Sequence, residues 1–297
     1  MSAPTRATTA GRAYLDLRKL ARKNGRPVDE LLQLYVLEAF LVRLIDSRFA
    51  ERFVLKGGVL LAAFNERRPT RDIDLQAQAV ENDMETIRAI SCEIAAIAVD
   101  DGVIFDVGTV NAELIRDEEI YAGVRVTMQA RLATARHQFH VDTNIGDPIS
   151  PAPKNVRLPR LLGGEIRLRG YPIAMVHAEK IVTAITRGTV NTRWRDFADI
   201  YMLSRRHAID GAELVRSIHR VAEHRHAQLV PLAERLAGYA EIGQQRWAAW
   251  RRRQRLEDRL PERFGDVVSA VVDFADPAIV GSAKGCSWDP VAGVWSR

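Results

Sequence analysis

The sequence predicts an α+β protein in which a mixed sheet with flanking helices is followed by a mainly helical half. Three observations predict it. Apolar residues recur at helical spacing over residues 27–48 (PVDELLQLYVLEAFLVRLIDSR) and again over 81–99, at Ile87, Ile90, Ile94 and Ile97. Short runs of strand character lie among them, at residues 53–55, 71–75, 103–105, 124–128 and 137–145. Past a segment rich in proline and glycine, residues 148–170, the pattern turns almost wholly helical. A boundary there divides the chain into 1–150, the N-terminal helices and sheet core, and 151–297, a mainly helical domain with an irregular tail.

The elements follow in order. Residues 16–24 (DLRKLARKN) read as a basic amphipathic helix, and 27–48 as a second helix leading into the strand Phe53-Val54-Leu55. Gly57 and Gly58 make the turn into a helix that starts at Val59. The segment 81–99 is a helix that crosses the sheet, and the loop 148–170 closes the first half. The tail from Pro277, with Gly281, Gly285, Trp288, Gly293 and Trp295, lacks periodicity and reads as packed loop or strand.

At 297 residues, 47% hydrophobic and 27% charged, the chain has the composition of a globular protein, not of a disordered one. A net charge of +5 with pI near 9.4 suggests a polyanionic partner. The two cysteines, Cys92 and Cys286, are far apart and lack metal-ligand spacing, which argues against a disulfide scaffold or zinc site and fits a reducing compartment. Residues 1–12 contain no apolar signal core. The apolar run 53–64 is too short to span a bilayer and is interrupted by Lys56. A cytoplasmic protein without a membrane partner is expected.

The chemistry is concentrated in Lys56-Gly57-Gly58 and, about a dozen residues on, Arg71-Asp72-Ile73-Asp74-Leu75. Residues i and i+2 of a strand share a face, so Asp72 and Asp74 project together while Ile73 and Leu75 enter an apolar layer. Two carboxylates so placed can hold Mg²⁺. Glycine lets the backbone approach a ligand closely, and free N–H groups at the following helix start favour phosphate. The ordinary reading of Gly-Gly is a simple turn, and an edge strand could keep both aspartates in water; the joint spacing favours triphosphate and metal meeting at one point.

Phosphoryl transfer calls for a further carboxylate, and Asp142 is the best candidate. It alternates with Val141 and Thr143 and shares the polar side of its strand with His140 and Asn144. The competing reading is a strand-end aspartate held by the turn at residues 144–147, and Asp147 reads as structural. In the helix from Tyr171, Lys180 falls within an apolar stripe with Ile173, Val176 and His177. There it either snorkels to solvent or points at an anion such as a triphosphate, while His177 reads as packing. On the next helix Asp196 and Asp199 are i, i+3 neighbours beside Arg195. Either Arg195 and Asp199 form a surface ion pair or the two aspartates face a phosphate site, and spacing alone leaves both open. The run Arg251-Arg252-Arg253-Gln254-Arg255 after Trp247 and Trp250 suits RNA, against the commoner reading of a solvated helix face.

Taken together, KGG, RDIDL, VDTNIGD, HAEKIV and RDFADIYML resemble the nucleotidyltransferase toxins of the AbiEii/AbiGii family, over most of the chain. The resemblance implies a polymerase β-like nucleotidyltransferase fold with a helical C-terminal lobe. It further implies that Gly57 and Gly58 hold phosphates with Lys56 and Arg71 beside them, that Asp72 and Asp74 bind Mg²⁺ with Asp142 as a third carboxylate, and that Lys180 contacts the triphosphate. Asp196 and Asp199 match a K-D-x-x-D-type motif near the nucleotide. Arg195 stands where lysine is usual there, and Ala174 where an acidic residue often precedes A-E-K. Family members are toxins checked by a cognate antitoxin, and some add nucleotides to the tRNA 3′ end, blocking translation. An RNA acceptor, with tRNA foremost, is therefore expected. Basic residues at 18–26 and 246–255, with Arg216, Arg220 and Arg225, are consistent with a cleft for tRNA phosphates. Two rivals are transfer to a small molecule or protein hydroxyl, and a nucleotide- or nucleic-acid-binding module without turnover.

Overall fold

Helix α2 (Val28–Ile45) is apolar around almost its whole circumference, and it is accordingly buried on nearly every side, with Val36, Leu37, Ala39, Phe40 and Leu41 fully enclosed. It is the central helix of the first of two compact units. That unit comprises Met1–Gly146 and Lys154–Gly170, and the second comprises Asp147–Pro153 and Tyr171–Arg297. The computed structural model describes residues 3–81, 83–115 and 123–297.

In the first unit α1 (Thr9–Lys23), capped by the Thr8 hydroxyl on Gly11 N, precedes α2. Then come β1 (Phe53–Lys56), the short α3 (Gly57–Leu60) continuing as a 3₁₀ turn, β2 (Asp72–Ala77) and α4 (Met84–Ala95). The strands β3 (Val103–Ile115), β4 (Gly123–Leu132), β5 (Ala135–Ile145), β6 (Lys154–Pro159) and β7 (Glu165–Gly170) complete it. Seven strands form one sheet in the order β3-β4-β5-β2-β1-β7-β6. It is mixed: β2 runs parallel to β5 and β1 to β7, and the remaining neighbours are antiparallel.

The segment 148–170, expected to be a loop, contains the β6–β7 hairpin. Its alternating Val156 and Leu158 opposite Ile166 and Leu168 is a strand pattern, and Gly163 and Gly164, both at positive φ, supply only the turn. The hairpin belongs to the first unit's sheet, whereas residues 147–153 group with the second unit.

The second unit is helical, with α5 (Ile173–Arg187), α6 (Trp194–Ser204), α7 (Gly211–His224), α8 (Leu232–Arg235), α9 (Tyr239–Gln254) and α10 (Phe264–Ile279). Trp194, Phe197, Tyr239, Trp247 and Phe264 form its aromatic core. The tail folds into β9 (Ser287–Asp289) and β10 (Val294–Ser296), and β9 also pairs with β8 (Ile209–Asp210). Trp288 and Trp295 pack on Phe274 and donate their indole N–H groups to Ser204 O and Phe274 O. Among the described residues no helix is long and apolar enough to cross a membrane.

Two buried ionic contacts tie α2 to the sheet unit. Arg43 forks onto Asp101 at 2.6 and 3.2 Å and also donates to Val103 O, while Tyr35 donates to Asp101 O, so the start of β3 is pinned to the helix. Glu38, 1% exposed, accepts from Arg67 at 2.7 Å and from Leu161 N. Arg67 also donates to Pro159 O, and this anchors the loop that delivers β2. Burial pushes the Glu38 carboxyl above its usual range, and the Arg67 charge and the Leu161 N–H pull against that. Removing one member of a buried pair strands the other. Asp101→Ala is therefore expected to cost about 3–5 kcal/mol in urea unfolding, far more than Asp16→Ala, whose ion pair with Arg6 is exposed.

Candidate active site

The glycine turn and the paired aspartates meet on one face of the sheet. In register, Lys56 of β1 lies opposite Asp74 of β2, and β2 in turn places Asp72 opposite His140 and Asp74 opposite Asp142 of β5. On the next strand Arg125 lies opposite Asp142 and Thr127 opposite His140. Ile73 and Leu75, which alternate with the aspartates, are 0% and 1% exposed, so the period-two pattern sorts acids and core as the sequence predicts. Two strands distant in sequence thus bring Asp72, Asp74 and Asp142 together, with Lys56 and Arg125 flanking them.

Gly57 has φ +65°, and a Cβ there would overlap the Asp74 carboxylate. Both facts require glycine. Gly58 N lies 3.4 Å from Asp74 Oδ2, and a Cβ on Gly58 would come within 2.9 Å of Thr70 Oγ1 and 3.1 Å of Arg68 Nη1. The loop before β2 therefore folds onto the turn, and Arg71 is exposed at its end. Asp74 is half-buried and its carboxyl is held above the usual range. Lost hydration is the first cause and the charge of Asp142 the second; Lys56 pulls it down, Asp72 pushes it up, and the Gly58 N–H pulls it down.

Asp142 is held by Arg125, whose Nε and Nη2 donate to its two oxygens at 2.8 and 2.7 Å. The turn at 144–147 does not hold it, and Asp147 instead contacts His224. Among the described residues no three His, Cys, Asp or Glu side chains are gathered into a group that could hold a metal ion as they stand. The donor set nevertheless has the chemistry for a hard divalent cation, which prefers carboxylate oxygen. Beyond the loss of hydration, the charges of Asp142 and Asp72 add to the elevation of Asp74 against the pull of Lys56. Arg125, His140 and Arg68 were not singled out in the sequence as site residues. Only the alternation of Arg125 and Thr127 with Val124, Val126 and Met128 hinted that they share a polar side.

Lys180, Asp196 and Asp199 come together within the second unit. Lys180 Nζ donates to Asp196 Oδ1 at 2.9 Å and Asp199 Oδ2 at 2.8 Å. Both aspartates are buried, and Arg193 lies 2.7 Å from Asp196. The lysine does not snorkel to solvent: its ammonium is held by the two buried carboxylates. The surface pair of Arg195 with Asp199 is likewise corrected, since Asp199 is 0% exposed and Arg195 lies on the outside. Burial pushes Asp196 up, but Lys180 and Arg193 outweigh it and hold the carboxyl below its usual range. His177 is packing, as expected: it lies against Phe274 at 4.7 Å, its ring nitrogens have no hydrogen-bond partner, and burial drives its pKa down to about 3. In the basic run, Trp247 is buried with its indole on Pro261 O, and Arg251 donates to Leu260 O and Glu257 O. Arg246, Arg252, Arg253 and Arg255 are exposed.

Two stability measurements follow from these shifts. Asp74 binds its proton more tightly folded than unfolded, so its contribution to stability falls as pH rises through that window. In EDTA, Asp74→Asn should melt higher than wild type at neutral pH, with the gain vanishing once acid protonates Asp74 in both states. His177 has the opposite sense. Below about 6.5 the unfolded chain takes up a proton that the folded ring refuses until about 3, so wild-type stability declines across that window and His177→Leu should flatten the decline.

The model of the family described as nucleotidyl transferase AbiEii toxin, type IV TA system, matches residues 39–270. The crystal structure of JHP933 from Helicobacter pylori superposes with a TM-score of 0.50 at 13% identity, covering 86% of this chain and 95% of that one. A candidate nucleotidyltransferase from Helicobacter pylori gives 0.49 at 13% identity, covering 86% and 97%. At such identity the JHP933 likeness bears on the fold alone. No protein with a curated description matches. With most of its length matched to that family model, the chain belongs to the AbiEii nucleotidyl transferase toxin family of type IV toxin–antitoxin systems.

Proposed function

We propose that this nucleotidyltransferase is Mg²⁺-dependent and transfers a nucleoside monophosphate from a triphosphate to the 3′ end of RNA, tRNA foremost, thereby arresting translation. Membership of the family already implies a nucleotide substrate and an antitoxin. The observation that carries the finer reading is the packing of a glycine turn, with no room for a Cβ, directly against a half-buried carboxylate flanked by two more. Carboxylates repel phosphate unless a cation intervenes, so this arrangement suits a bound metal and not nucleotide binding alone.

Asp72 and Asp74 would hold the cation, which when bound supplies charge neutralisation at the α-phosphate. Gly57 and Gly58 let the turn pack against the Asp74 carboxylate, where the phosphates would meet the cation, and Lys56 adds a positive charge beside them. A terminal ribose hydroxyl attacks the α-phosphorus; the new P–O bond forms as the bond to the β-phosphate oxygen breaks, pyrophosphate leaves, and the hydroxyl proton passes to a carboxylate or water. The exposed arginines Arg246, Arg252, Arg253 and Arg255 support a polyanionic acceptor.

The test is incorporation from each of four labelled triphosphates into total tRNA with Mg²⁺. Label should enter the RNA with at least one triphosphate, and Asp72→Asn or Asp74→Asn should reduce it by about a hundredfold or more while remaining folded. No incorporation with any triphosphate overturns the proposal, and labelled product that resists ribonuclease moves the acceptor to a protein or small molecule. Lys180→Ala is a poorer probe. It leaves Asp196 and Asp199 without the ammonium they share, so it should lose about 3–5 kcal/mol of stability, and its activity must be read beside its melting curve.

A further inference from the structure

The acidic face contains one strong contact that the proposed reaction leaves unused, the fork between Arg125 and Asp142. We propose that Arg125 is a positioning residue that holds Asp142 out of the cation site, so that the third carboxylate becomes a ligand only when a divalent cation competes it away from the guanidinium. This rests on the reading of Asp72 and Asp74 as cation ligands.

The geometry is specific. Both oxygens of Asp142 are engaged, one by Nε and one by Nη2, so a cation approaching either oxygen must share it with a guanidinium that already holds it and repels the newcomer. The side chains are 32% and 12% exposed, which removes the pair from the fully solvated class whose attraction water and salt largely cancel. Strand register sets the competition. Asp142 lies in the middle strand, with Asp74 across from it on one side and Arg125 on the other, so one carboxylate adjoins both the anion it repels and the cation that restrains it. Arg125 also feels the charges of Asp72 and Glu113. It acts as the face's internal counter-cation, and a metal entering this face displaces an existing partner.

Arginine matters here for its fork as well as its charge. Lysine at the same position keeps the charge and gives up the paired hydrogen bonds, which separates latching from simple electrostatic repulsion of the metal.

Mn²⁺ alone, without nucleotide, is the probe, titrated into the full chain by calorimetry or by electron paramagnetic resonance of the free ion. Arg125→Gln should bind Mn²⁺ about tenfold more tightly than wild type, with Arg125→Lys between them. In an Asp142→Asn background the Arg125→Gln change should have no effect, because the latch has lost its bolt. In EDTA, Arg125→Gln should melt below wild type, and Mn²⁺ should restore it. Equal affinities in wild type and Arg125→Gln overturn the proposal, as does an equal gain in the Asp142→Asn background, which would mark a through-space charge effect. Binding that Asp74→Asn abolishes but Arg125→Gln leaves unchanged overturns the latch and spares the cation site. No Mn²⁺ binding by any of these proteins overturns both.

Discussion

Repulsion among carboxylates that the backbone forces onto one face is the constraint from which the first unit is built. Asp72 and Asp74 cannot separate, because a strand repeats its facing every second residue, and parallel pairing with β5 brings Asp142 beside them. The ladder of hydrogen bonds between β2 and β5 holds these charges together, and the Asp142 charge adds to the elevation that burial imposes on the Asp74 carboxyl. Several other choices answer to it. Position 57 is glycine because the Asp74 carboxylate occupies the space a side chain would need, Lys56 sits at the register position opposite Asp74, and Arg125 closes the row from the far side. Even the remote Glu38–Arg67 contact belongs to this scheme, since it steadies the loop that enters β2.

Much of this face was legible in the sequence and part of it was not, for a physical reason that differs by residue. Alternation within one strand is local, so the shared facing of Asp72 and Asp74, and of His140 with Asp142, can be read from spacing alone. Which strand lies beside which is not local. β2 and β5 are separated by α4, β3 and β4, and the pairing of Arg125 with Asp142 depends on a register that no window of sequence contains. The stretch 148–170 was obscured for another reason: its prolines and glycines mark chain reversal strongly and drown the short alternation of Val156, Leu158, Ile166 and Leu168 that makes the hairpin. On α6 the i, i+3 spacing placed Asp196 and Asp199 on neighbouring positions, yet their burial and their shared lysine come from packing against α5. The Trp247–Arg251 segment shows the same limit, since its arginine is committed to backbone carbonyls contributed by residues 257 and 260.

The two ionic clusters differ in a way that bears on the proposed cation site. In the second unit two aspartates meet two cations, Lys180 and Arg193, and the outcome is a carboxyl at Asp196 held below its ordinary range despite burial. That cluster is balanced, and an added divalent cation would have to oppose charges already neutralised. In the first unit Asp72, Asp74 and Asp142 have Lys56 and Arg125 at neighbouring register positions, and Asp74 is pushed the other way, first by burial and then by the charge of Asp142. Opposite shifts on half-buried Asp74 and buried Asp196 give a comparison in which lost hydration acts in the same direction on both. At Asp196 the charges of Lys180 and Arg193 outweigh burial, whereas at Asp74 burial and the charges of Asp142 and Asp72 outweigh Lys56. A cation entering the first unit would relieve the repulsion between Asp74 and its neighbours, which supports the proposal that Asp72 and Asp74 hold it and that Asp142, engaged by Arg125, is the carboxylate the proposed latch releases.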